Sequence, residues 1–112
     1  MEDCLFCKIA HKEVPADIIY EDKDFMAFYD KYPKAPLHIL IIPKKHIASV
    51  NDLEDKDENF IGRLILLAKK IAQSFPQARN GYKLVFNVGP GGGQVINHLH
   101  LHLLAGKGIK MP

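Results

Sequence analysis

An α+β fold is predicted, with an antiparallel sheet of about five strands, one long helix and a short N-terminal helix. Three observations carry that reading. Short apolar runs alternate with acidic, proline or glycine breaks, one stretch alone keeps three-and-four apolar spacing, and several connections are too short for parallel crossovers. At 112 residues, 47% hydrophobic and 25% charged, the chain reads as one domain over 1–112, with enough core to need no disulfide framework. No apolar run approaches the roughly 18 residues that would cross a bilayer. Met1-Glu2-Asp3-Cys4 is not a basic and then apolar leader, so no membrane contact and a cytoplasmic location are expected.

Cys4 to Ala10 reads as a short helix, ending before Val14-Pro15, where the proline forces an extended approach. Ile18-Ile19-Tyr20 and Phe25 to Tyr29 are strand-length apolar runs, and Glu21-Asp22-Lys23-Asp24 between them reads as a hairpin turn. Leu37 to Ile42 is bounded by Pro36 and Pro43. Alternation there puts His38 and Leu40 on one face, Ile39 and Ile41 on the other. From Asp57 the period becomes helical: Phe60, Ile61, Leu64, Leu67, Ala68, Ile71, Ala72 and Phe75 form one stripe, which Pro76 stops. Tyr82 to Val88 and Asn97 to Leu104 are two further strands, joined through Gly89-Pro90-Gly91-Gly92-Gly93-Gln94.

The formal net charge of +2 is too small to argue for nucleic acid, and 13 of the 15 basic residues are Lys rather than Arg, so no nucleic-acid partner is expected. Charge is nevertheless uneven. All 13 acidic residues lie at or before Glu58, which leaves residues 59–112 at +7 and the first 58 at −5. Either the two halves interleave and cancel, or the second half contributes a positive site for an anion.

The chemistry is concentrated in His98-Leu99-His100-Leu101-His102-Leu103-Leu104. On a strand the three histidines project from one face, about 7 Å apart, and the leucines from the other. Such an array suits a metal site, a nucleophile with acid/base partners, or a pH-sensitive surface. Three consecutive glycines let the preceding loop approach an anion and turn N–H groups toward it, although a plain connection between strands needs them as well. The loop is not a P-loop, for no Lys-Ser/Thr follows, nor a dinucleotide fingerprint, for it leads into a strand. Cys4-Leu5-Phe6-Cys7 places two thiols within a turn, which fits either free cysteines or half of a tetrahedral S₂N₂ zinc set.

The run His98 to Leu104, an H-φ-H-φ-H-φ-φ pattern, resembles the signature of the histidine-triad (HIT) family and of its Hint-like branch of purine nucleoside phosphoramidases. Pro36 to Ile47, Phe6-Cys7-Lys8-Ile9 and Phe28-Tyr29-Asp30 are similar to further family segments, so the resemblance covers nearly the whole chain. It implies a HIT-like fold and a homodimer whose sheets join into one layer. Ile65 and Leu66, outside the main helical stripe, agree with a second buried surface, and Gly106 to Pro112 would reach the partner's site.

By the same resemblance the protein hydrolyses the P–N bond of purine nucleoside 5′-phosphoramidates, such as AMP-amines or adenylylated lysine, with no cofactor required. His100 would be the nucleophile and His102 the partner of the phosphoryl oxygen or leaving group, with His38 and His98 orienting the cluster or relaying protons. Asp30, with Lys31 beside it, would take the ribose hydroxyls. Phe6, Ile9, Val14 and Phe28 would line the base pocket, and Asn87, Gly93, Gln94 and Val95 would meet the α-phosphate with His100 and His102. Two positions depart from the family pattern: Val95 stands where many Hint-like proteins carry serine, and Lys31 where the neighbour of the acid is usually apolar. The resemblance also implies a structural zinc ion held by Cys4, Cys7, His46 and His98, which would commit His98 to metal. A different class of function, a purine-nucleotide-binding or zinc-stabilised interaction protein with little turnover, shares every one of these residues.

Overall fold

The computed structural model describes residues 3–112; Met1 and Glu2, half of the segment read above for a leader, lie outside them. A short helix α1 (Leu5–Ala10) is followed by β1 (Ile18–Glu21), β2 (Phe25–Tyr29) and β3 (Leu37–Pro43). Helix α2 (Glu58–Gln73), β4 (Lys83–Val85) and β5 (Leu101–Ala105) complete the chain. The five strands form one sheet in the order β1-β2-β3-β5-β4, antiparallel at every pairing. The α+β fold class is therefore as the sequence predicts.

Local chemistry accounts for the element ends. Cys4 caps α1, its Sγ accepting the Cys7 N–H at 3.3 Å. Asp22 closes the β1–β2 hairpin by accepting the N–H groups of Asp24 and Phe25, both at 2.8 Å. Strand β3 runs one residue further than expected because Pro43 still opposes Phe25. Just before α2, Glu54 and Asp57 form a capping box around the preceding turn.

The two faces of the sheet have different cover. On one, Leu64, Leu67, Ala68, Ile71 and Ala72 of α2 pack against alternate residues of the central strands, including Ile39, Ile41, Leu101 and Leu103. On the other, Phe6, Ile9 and Ala10 of α1 cover Met26, Phe28, Leu40 and Ile42. A six-residue helix is too short to cover the whole second face, so the β3, β5 and β4 end stays open. His38 and His102 lie on that face, as the alternation on β3 requires, with His38 opposite Leu104 and His102 opposite Leu40. Ile65 and Leu66 remain 43% and 57% exposed on α2. Among the described residues no helix is long and apolar enough to cross a membrane.

Two expected strands are shorter than their apolar runs. The segment Tyr82 to Val88 ladders only over Lys83–Val85, and Asn97 to Leu104 only from Leu101. Chain leaving the ladder at these points forms the loop and the pre-strand segment that shape the site. After β5 the chain turns at Gly106, whose φ of +108° places an added Cβ 2.8 Å from the Pro36 ring. Gly106→Ala is therefore expected to cost about 1–3 kcal/mol, read as a lower denaturant midpoint at constant slope. An unchanged midpoint would refute the close approach.

Candidate active site

The three aligned histidines do not act as one row. His98 and His100 precede β5, and only His102 belongs to its ladder. His98 is fully buried beside Cys4, Cys7 and His46, whereas His100 and His102 line a cleft of about 1130 Å³. The His100 and His102 ring centroids are 4.9 Å apart, closer than the ~7 Å repeat along a strand. The expectation of three rings evenly spaced on one face is thus corrected: the chain leaves regular β geometry before Leu101, and His98 turns into the interior.

Hydrogen bonds assign the tautomers. His100 Nδ1–H donates to the His98 carbonyl at 2.7 Å, so the Nε2 lone pair is left free at the cleft. His38 Nδ1 accepts the Lys34 N–H at 3.0 Å, which places its proton on Nε2. That proton faces His102 Nδ1 at 2.9 Å and Asp30 Oδ2 at 3.4 Å. His102 then carries its own proton on Nε2 and is a donor. Asp30, His38 and His102 lie close enough to suggest a metal set, but His38 could ligate through Nε2 only by giving up the Lys34 hydrogen bond.

The remaining cleft residues fall into an apolar end and a polar end. Phe6, Ile9, Val14 and Phe28 line the first, where Phe6 stands edge-on to Phe28 and to His100 at centroid distances of 5.6 and 5.1 Å. Asp30 and Lys31 lie beyond Phe28, while Asn87, Gly93 and Val95 line the wall near the loop. Gln94 does not line the cleft. Its side chain is buried, accepting from Gly89 N–H and donating to the Ala48 and Ile96 carbonyls, so it ties the loop down. The loop is also less open to anions than its glycines suggest, because the N–H groups of Gly92, Gly93 and Gln94 all bond to loop carbonyls. Leu40, read from the sequence only as sharing a strand face with His38, lines the cleft, as do Lys34 and Lys83, to which no sequence signal assigned a role. The tail expected at a partner's site here lines its own chain's cleft at Gly108, Ile109 and Lys110, and Lys83 Nζ donates to the Lys110 carbonyl.

A second cluster lies behind the cleft. The ligand atoms of Cys4, Cys7, His46 and His98 fall within 4.8 Å of one another. Cys4 Sγ is 3.2 Å and Cys7 Sγ 3.5 Å from His98 Nδ1, and Cys7 Sγ is 3.3 Å from His46 Nδ1. These spacings approach the ~3.5 Å edges of a tetrahedron around zinc. His98 Nε2–H donates to the Pro43 carbonyl at 2.8 Å, so its Nδ1 lone pair is the one aimed at the sulfurs. The donor set fits zinc.

Residues 11–109 match the HIT domain. The chain belongs to the HIT-domain family. It is 45% identical over 106 residues to the purine nucleoside phosphoramidase of Escherichia coli K12, covering 95% of this chain and 89% of that protein. A HIT family hydrolase from Legionella pneumophila superposes with a TM-score of 0.94 at 52% identity, covering 98% of both chains. A zinc-bound histidine triad family protein from Mycobacterium smegmatis superposes with a TM-score of 0.82 at 28% identity, covering 99% of this chain and 81% of that one.

Four imidazoles of this HIT-domain chain, His38, His98, His100 and His102, are held below the ordinary histidine range, first of all by burial. For His102 the neighbouring His100 and His38 add to burial, and the value falls to about 4. These four are neutral at pH 7. A histidine lowered in the folded state contributes its full stability above its unfolded value of 6.5 and loses it as pH falls toward 4, where the unfolded chain binds the extra proton. The denaturant midpoint is therefore expected to drop from about pH 7.5 to about pH 4.5, with a shallower drop in His102→Gln. Equal slopes in parent and variant would overturn this.

Proposed function

We propose that the protein hydrolyses the P–N bond of purine nucleoside 5′-phosphoramidates through a nucleotidyl-histidine intermediate on His100, releasing the amine and the nucleoside monophosphate. The observation that carries this reading is the free Nε2 lone pair of His100 at the cleft, fixed by the Nδ1–H bond to the His98 carbonyl. The phosphoramidase name of the E. coli relative supports the substrate class.

The base fits the apolar end and the ribose hydroxyls fit Asp30. The phosphate then lies over His100 and His102. His100 Nε2 attacks phosphorus, an Nε2–P bond forms, and the P–N bond to the amine breaks with its electron pair leaving on nitrogen. An alkylamine leaves well only when protonated. His102 Nε2–H points to the reacting phosphate, and the anion bound there favours an imidazolium in place of the low value of the empty cleft, so His102 can deliver the proton. Water then adds to phosphorus and passes a proton to His102, the Nε2–P bond breaks, and His100 returns to its starting tautomer. His38 Nε2–H holds His102 in position while His102 is neutral, and that bond is given up in the imidazolium, whose Nδ1 carries a proton of its own.

Zinc on Cys4, Cys7, His46 and His98 would tie α1 to the chain flanking β3 and β5, a structural role with no part in bond cleavage. Burial, with the neighbouring Cys4, raises the Cys7 thiol to about 11, and a metal cation reverses that by stabilising thiolate. A cytoplasmic homodimer belongs to the same proposal, supported by exposed Ile65 and Leu66 and by the open edge at β4. The decisive experiment is incubation with an adenosine 5′-phosphoramidate, rapid quenching and peptide mapping. AMP release with an adduct on His100 is expected; nucleotide binding without turnover or adduct would favour the binding-protein reading.

A further inference from the structure

Resting on the phosphoramidase reading, we infer that the leaving amine carries an anionic group, a carboxylate or a phosphate, received by Lys34 and Lys83. Along β5 the order is His100, His102, Leu104, and Leu104 is paired with His38 on one side and Lys83 on the other. Displacement in line with His100 sends the leaving group away from His100, and so along β5 toward the row of His38, Leu104 and Lys83. The base cannot take that space, because its apolar pocket is at the other end of the cleft, under α1, and the ribose at Asp30 borders the row only on its His38 side.

Charge at this end is uncompensated. The cleft is lined by Lys31, Lys34, Lys83 and Lys110 against only Asp17 and Asp30. None of those lysines has an ion-pair partner among the described residues, whereas Lys12, Lys44, Lys45, Lys56 and Arg63 elsewhere do. Asp30 is engaged by the Tyr32 N–H at 2.8 Å and faces His38, and ribose would occupy it further. Lys83 is half-buried and anchors the tail through the Lys110 carbonyl, a contact that leaves its charge unneutralised. The ammonium of Lys34 is near enough to His38 and His102 to disfavour their protonation. A phosphoramidate's single negative charge at His100 and His102 does not satisfy both lysines. An ammonium-bearing leaving group would be repelled by them, and an anionic one attracted.

The test compares AMP phosphoramidates of four short amines: propylamine, 3-aminopropanoate, 2-aminoethyl phosphate and 1,3-diaminopropane. At low salt the anionic substrates are expected to exceed the diamine in kcat/KM by about tenfold, equivalent to about 1.4 kcal/mol, with propylamine between them. The faster anionic substrate identifies carboxylate or phosphate. In Lys34→Gln/Lys83→Gln the ratio should fall below about threefold, and high salt should compress it in the parent protein, a result that needs no variant. Equal rates, or a preference for the diamine, would overturn the inference. No AMP release from any of the four would overturn the phosphoramidase reading itself, so the two failures are distinguishable.

Discussion

His100→Ala is expected to lose phosphoramidate turnover by on the order of 10⁴-fold or more and to form no nucleotidyl adduct, while still binding AMP within about tenfold of the parent. Tenfold in affinity is only about 1.4 kcal/mol. The two effects separate because the proposed nucleophile is one atom, Nε2, whereas the proposed binding is spread over Asp30, the apolar pocket of Phe6 and Phe28, and the neighbouring His102, all of which line the cleft. Loss of the ring also removes the edge contact with Phe6, which accounts for the allowed tenfold. His102→Gln keeps the nucleophile and loses a proton donor, so a smaller fall of about 10²- to 10⁴-fold is expected, with adduct still forming. Single-turnover kinetics with equilibrium binding of AMP measures both. Substantial turnover by His100→Ala with the adduct on another histidine would show the nucleophile to be wrongly assigned.

One zinc ion per chain is the second expected result, together with a fall in Tm of at least about 10 °C on chelation or in Cys7→Ser. The four donor atoms lie on three separate parts of the chain: the α1 start, the segment after β3 and the segment before β5. Without metal these segments are held by thiol–imidazole contacts of 3.2–3.5 Å, and the buried Cys7 thiol stays protonated. Metal bound there would replace these weak contacts by four bonds. Because the His98 carbonyl also holds His100 Nδ1–H, chelation should loosen the nucleophile and lower turnover in parallel. Elemental analysis finding no zinc, with Tm indifferent to chelator, would remove the metal from the account.

Much of this was legible from residue order. Alternation on β3 placed His38 and Leu40 together, and three-and-four spacing from Asp57 to Phe75 marked the long helix, which the structure forms over Glu58–Gln73, because each depends only on local geometry and burial. The apolar pocket residues and Asp30 could be named through family motifs, and the structure brings Phe6, Ile9, Val14, Phe28 and Asp30 to one cleft. Lys34 and Lys83 could not be found that way. Neither belongs to a motif, and they reach one cleft only because the chain entering β3 and strand β4 lie on either side of β5.

By itself, then, the sequence determined the fold class, the long helix, the strand faces and the presence of a histidine-rich centre, since periodicity and residue chemistry suffice for these. Tertiary structure alone decided how that centre divides. A regular strand would have given His98, His100 and His102 equal standing. Departure from the ladder before Leu101 instead buries His98 among Cys4, Cys7 and His46 and leaves His100 and His102 at the cleft. It also decided that Gln94 holds the loop rather than facing the cleft, and which nitrogen of each imidazole carries its proton. The physical reason is the same in each case: the partners are the Pro43 and His98 carbonyls, the Lys34 N–H and the Ala48 carbonyl, backbone groups whose positions no side-chain pattern encodes.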